Sequence, residues 1–181
     1  MNFTNAEQLA LACHFERYIA GDCHPDGRRY LPLLMFGLRQ RAPDGITQIG
    51  VVDRHHQVDP TLAGRHGTAR LVFLLSSLRL ITTPRSGLFD HTVAQGQAST
   101  MPEAYGRVLA VPTWEATSDN LPYETLYTEL LLDIGIGVVG VRTSTTGVNL
   151  TAQIGKRKLE PGDWLLVARS RVDILGFTPY D

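Results

Sequence analysis

Leu9, Ala12, Cys13, Glu16 and Ile19 recur at helical spacing behind Thr4 and Glu7, which form a capping-box pattern, and Gly21 supplies a stop. The pattern predicts a helix over 5–20. The stretch 22–27 has turn chemistry, and a second helix is expected over 28–41, ending before Pro43. Residues 46–52 read as a strand, and the polar stretch 55–67, with Pro60, Gly64 and Gly67, as a loop. The apolar stretch 69–81 fits either a helix or a buried strand. Pro84, Gly87, Gly96 and Pro102 make 83–103 the best linker or mobile loop. Beyond it, strands are expected at 107–112, 137–142, 148–154 and 164–168. Helices are expected at 122–133, with Leu126, Leu130 and Asp133 on one face, and at 170–175 to close the chain.

This order predicts an α+β fold of mixed helices and strands, with the C-terminal half a small α/β sandwich lobe. The break near the midpoint divides the chain into 1–97, an N-terminal α+β region without an assigned role, and 98–181. The chain has 181 residues, 43% of them hydrophobic and 19% charged, which is ordinary globular material. Its 17 Lys+Arg against 18 Asp+Glu leave a formal charge of −1, which argues against binding of nucleic acid by bulk phosphate neutralisation and leaves only a local basic patch open; no nucleic-acid partner is expected. Two cysteines make no disulfide framework, so a reducing cytoplasm is the expected compartment. The first residues carry no basic stretch of the kind a signal peptide needs. The longest apolar run, from Leu71, is far short of the ~20 residues of a membrane helix.

Two segments carry more specific information. LYTELLLDIGIGVVGVR over 126–142 is followed by LEPGDWLLVARSRVDI over 159–174. In order and spacing they resemble the C-terminal lobe of the RCK (TrkA-C-type) regulatory domains, which pair a helix, a VVAIRR-like strand, an L-x-P-G-D strand and an S-x-x-D-L closing helix. The resemblance covers roughly 105–177. It implies a lobe that pairs with its own copy and takes a nucleotide or other small ligand in the crevice, in a cytoplasmic homo-oligomer that controls a potassium channel or transporter. It places ligand contacts at Arg142, Thr143, Ser144, Thr145 and Asn149. Arg169 stands where the lobe carries glycine, and no G-x-G-x-x-G follows a strand in the first half, so the usual dinucleotide-binding lobe is missing.

Other residues offer separate chemistry. Arg54, His55 and His56, with Arg65 and His66, form a basic, titratable loop suited to an anion or phosphate. Cys13-His14 and Cys23-His24 are metal-type pairs, but their spacing departs from zinc patterns. Cys13 therefore reads as buried and His24 as solvated, with no metal expected. No G-x-S-x-G, H-E-x-x-H or P-loop is present, no catalytic residue is assigned, and the sequence names no cofactor either way. Three readings follow: a ligand-sensing regulatory module, a small enzyme using His55, His56 or His66 between the two halves, and an interaction scaffold that presents 71–81.

Overall fold

Leu11, Cys13 and Phe15 are buried while Ala12, His14 and Glu16 between them are not, so the first segment follows the two-residue period of a strand. The computed structural model describes residues 3–39, 42–74, 76–94, 97–118, 121–143, 147–156 and 158–181, with backbone only at 114–118, 121–126 and 147–149. Among these lie eleven strands: β1 (Ala10–Ile19), β2 (Leu33–Leu38), β3 (Gln48–Val52), β4 (His66–Leu74), β5 (Leu78–Leu80), β6 (Gly87–Phe89), β7 (Glu103–Ser118), β8 (Leu121–Asp133), β9 (Gly137–Thr143), β10 (Trp164–Val167) and β11 (Val172–Pro179). The single α-helix described, α1 (Gly147–Ile154), lies between β9 and β10.

The expected α+β class is therefore wrong, and so is the α/β sandwich expected of the C-terminal half: the fold is almost entirely β. The helices expected over 5–20, 28–41, 122–133 and 170–175 are β1, β2, β8 and β11, preceded only by a short 3-10 turn at Ala6–Gln8. The last two are the helices that the RCK-like pattern called for. Each correction has a packing cause. In β2 a two-residue alternation buries Leu34, Phe36 and Leu38 completely or nearly so. In β8, Leu130 and Leu132 face the main core while Leu131 packs into a second cluster on the other face, so the Leu-Leu-Leu run is a strand covered on both sides. The opposite correction applies at 148–154, where the expected strand is α1, with Leu150 and Ile154 buried one helical turn apart.

The pairings close into two circuits. In the first, β1–β2, β2–β3, β11–β4 and β4–β1 are antiparallel, and β3–β11 is parallel. In the second, β4 pairs with β9 in parallel, and β9–β8, β8–β7, β7–β10 and β10–β5 are antiparallel. Since β5 follows β4 and β11 follows β10, the β4/β11 pair of the first circuit runs on into the β5/β10 pair that closes the second, and the two circuits share this ribbon. One edge of β4 is divided between them: 66–69 pair with β1 and 72–74 with β9. The inward faces form one core, in which Phe15, Phe36 and Phe177 meet ring to ring at 5.0–5.6 Å. Outside, Phe3 and Leu9 cover Val72, Leu74 and Leu131. The end of the Phe3 ring lies against Gly140, where a Cβ would meet its Cζ at 2.7 Å. Among the described residues, no helix is long and apolar enough to cross a membrane.

The stretch 83–103, expected as a linker, contains β6, which pairs with β7, and a buried carboxylate knot. Asp90 accepts hydrogen bonds from the Thr92 amide (2.9 Å) and hydroxyl (2.7 Å) and from Ser99 Oγ (2.6 Å). Arg169, the departure from the family's glycine, reaches Asp90 (3.5 Å) and donates to the Met101 carbonyl (3.1 Å). Burial acts to raise the Asp90 pKa, but the Ser99 and Thr92 hydrogen bonds and the Arg169 charge outweigh it and hold the carboxyl below its ordinary value. A depressed carboxyl stabilises the fold fully above the ordinary carboxylate range and loses that contribution as pH falls through the depressed value. Urea unfolding of Asp90→Ala is thus expected to show a loss of about 2–3 kcal/mol at pH 7. The deficit should shrink as the pH is taken down toward 3, whereas an equal deficit at both pH values would contradict this assignment.

Candidate functional site

The sequence-level candidates separate in space. Arg142 lies opposite Glu129 across β8 and β9, and its Nε donates to Glu129 Oε1 at 2.9 Å while Nη2 bonds the same oxygen. Glu129, only 1% exposed, also accepts from the Thr4 amide at 2.9 Å, and the Tyr127 ring lies 4.6 Å from the guanidinium. This arginine neutralises a buried acid and ties the N-terminal segment to the second circuit. Thr143 is fully buried beside it. Ser144 and Thr145 lie outside the described residues, as does the side chain of Asn149.

The basic loop is likewise divided. Arg54 pairs with Asp173 at 3.6 Å, at the start of β11, while Arg65 donates to the Tyr180 carbonyl at 2.9 Å, just past its end. Between them the buried Asp53 carboxylate accepts the amides of Gln57 (2.8 Å) and Val58 (3.0 Å), which fixes the turn that carries His55 and His56 on the surface. His24 packs against Tyr30 with ring centroids 4.0 Å apart and planes tilted by 35°, and Cys23 is exposed. Among the described residues, no three metal-type side chains gather. Cys13 faces the core, and burial pushes its thiol up to about 12, so it stays protonated at neutral pH and is no nucleophile.

His14 and His66 come together. They are direct cross-strand partners on β1 and β4, and their rings stack with centroids 4.5 Å apart and planes 29° from parallel. On the other side of His14 the partner on β2 is Gly37. The β1–β2 register skips at Glu16, between Phe15 and Arg17, and this bulge redirects the Glu16 side chain onto β2. Its carboxylate lies over Gly37, where any Cβ would meet Oε1 at 2.5 Å; glycine is what leaves room for it. These groups line a cleft of about 610 Å³, with Gln48 and Arg39 along one side and Tyr180 on the other. Tyr180 is docked by its amide bond to the His66 carbonyl (2.9 Å) and by the hydroxyl of Thr68 (3.2 Å). Among the described residues, neither Glu16 nor Arg39 forms an ion pair, so a half-buried anion and an exposed cation face the same cavity.

No family model, curated protein or solved structure matches this chain. The cleft therefore stands on its own geometry. His14 and His66 each appear among the sequence candidates, but in different groups. Glu16, Gly37, Arg39 and Tyr180 do not. For Glu16 the signal was the period-two pattern of β1, which sets Ala12 and His14 apart from the buried Leu11, Cys13 and Phe15; Gly37, Arg39 and Tyr180 join the cleft only through the pairing of distant strands.

The Arg142–Glu129 pair yields a distinct expectation. Removing one member of a buried pair strands the other's charge, so Arg142→Ala should cost about 3–5 kcal/mol in equilibrium denaturation. The double replacement Glu129→Leu with Arg142→Met should recover most of that loss. A single variant as stable as the parent would contradict the pairing.

Proposed function

We propose that this protein binds a small polar ligand in the His14–His66 cleft. The observation that carries the reading is the His14–His66 stack beside a Glu16 carboxylate held by a β-bulge over Gly37. Imidazole donates or accepts a hydrogen bond according to its protonation, Glu16 accepts and Arg39 donates. Such a lining suits a molecule that carries both donors and acceptors, with Leu38 and Ala12 supplying apolar surface. The ligand-binding role that the RCK-like segments implied is thus kept but moved to the other circuit, away from Arg142, whose guanidinium serves Glu129. Control of a potassium channel or transporter rests on those sequence segments alone.

The same pair favours a second reading, an acid–base enzyme. Imidazole is the side chain that most readily exchanges protons near neutral pH, and two of them beside a carboxylate can divide the roles of acid and base. Of the three histidines expected to serve an enzyme, only His66 is in the cleft; His14 joins it, and His55 and His56 do not line it.

A thermal-shift screen with nucleotides, amino acids and sugar phosphates tests the reading. A compound at 100 times its dissociation constant adds about 2.7 kcal/mol, which for a chain of this size raises Tm by roughly 5–11 °C. The shift should be lost in His66→Ala and Glu16→Gln. Gly37→Ala, which displaces the carboxylate without removing it, should weaken binding while leaving the fold intact. A compound whose shift survives all three replacements would place its site elsewhere and contradict the proposal.

A further inference from the structure

A second concavity lies on the other circuit, at the end of β5. Its volume is about 400 Å³, and its lining includes Arg79, Arg85, Thr82, Thr83 and Tyr105. We infer that this cleft is an oxyanion site that receives a phosphoryl group between the guanidinium groups of Arg79 and Arg85. Three observations carry the inference.

The first is how Arg85 is held. Its Cζ lies 3.8 Å from the centre of the Phe89 ring and 4.5 Å from that of Tyr105, and these two rings meet edge to face at 5.3 Å. Nη2 donates to Asp44 at 2.8 Å, so a long side chain is fixed in one orientation by two aromatic contacts and one ion pair. A guanidinium has five N–H donors, and the bond to Asp44 uses one of them. A fork fixed in advance loses little rotamer freedom when it takes up an anion.

The second is Arg79. It is exposed on β5, and among the described residues no carboxylate pairs with it. Through Leu166 it lies in register with Tyr105: Arg79 is opposite Leu166 across β5 and β10, and Leu166 is opposite Tyr105 across β10 and β7. The two cations therefore flank one row of the sheet, with two strand spacings, about 9–10 Å, between the Arg79 and Tyr105 backbones. Both arginines thus border one concavity, in which an anion can meet each of them.

The third is charge. No acidic residue is among those that line this cleft, whereas Glu16 lines the other one. Asp44 compensates Arg85 from outside the lining while Arg79 has no carboxylate partner among the described residues, so the cleft keeps an excess of positive charge that selects for an anion, and guanidinium forks match the spacing of phosphoryl oxygens. The hydroxyls of Thr82 and Thr83 add donors at the rim.

Calorimetric titration with inorganic phosphate, pyrophosphate and AMP at constant chloride ionic strength tests the site. Saturable binding is expected for the parent chain, with at least a tenfold loss in Arg79→Ala and a further loss in Arg79→Glu. Because Arg79 is exposed, these variants should keep the parent's Tm. Arg85→Lys keeps the charge but not the fork, and it should also weaken binding at least tenfold. His66→Ala should bind as the parent does, which separates this site from the His14–His66 cleft. AMP binding more tightly than phosphate would identify a phosphomonoester as the occupant, and the reverse would identify the free ion; both support the site. No saturable binding, or affinities unchanged by either Arg79 variant, would overturn it.

Discussion

The rest of the structure depends on the pairing of β4 with β11. Seven register pairs join them, from Phe73 opposite Val172 to Gly67 opposite Pro179. Both circuits use this pair as a wall, so the inward-facing Leu71 and Phe73 of β4 and Ile174 of β11 belong to the core of each. Pairing of this kind is wholly non-local: β4 ends at Leu74 and β11 begins at Val172, so the two strands meet only when most of the loop entropy between them has been lost. The compensation comes from the apolar surface that both circuits bury at once. Where β4 passes into β5 and β10 into β11, Ser76 and Ser170 satisfy each other at 2.6 Å in the buried interior, so the seam leaves neither of these hydroxyls unpaired.

The His14–His66 cleft is a consequence of the same constraint. β1 pairs with β4 over 66–69 and gives way to β9 beyond that point. His66 is therefore the outermost residue of β4 on the stretch that β1 covers, and His14 meets it there. The bulge at Glu16 then bends β1 away along β2, which opens the face that Tyr180 borders from the end of β11. Cleft and seam share their strands: Tyr180 follows directly from β11, and His66 begins β4. The Arg142–Glu129 pair plays the complementary role on the second circuit, where it closes β8 against β9 beneath the N-terminal segment.

The sequence made some of this legible and hid the rest for physical reasons. β3 and β9 were readable because β-branched and small residues run along them, and β10 because an apolar run follows the Pro161-Gly162 turn. The strands mistaken for helices contain Leu, Ala, Glu and Arg, good helix formers, at spacings that satisfy a 3.6-residue period by coincidence. In β8 burial on both faces removes the alternation that marks a strand, and in β1 the bulge shifts it after Phe15. Tertiary packing overrode local propensity in each case. The cleft was half legible: the histidines are visible as chemistry, but their meeting is a matter of register between distant strands. Gly37 falls inside the helix expected over 28–41, where nothing marks it as the place a carboxylate will cover.

Native-state hydrogen exchange tests the shared wall most directly. If both circuits hang on β4 and β11, the amides of Leu71, Val72 and Ile174 exchange only through global unfolding, and amides in β2 and β8 lose protection in that same transition. The account predicts one common free energy for these amides and one denaturant dependence. Exchange of β2 in an earlier, separate transition, with β8 and β9 still protected, would show that the first circuit opens without the second and would contradict the account.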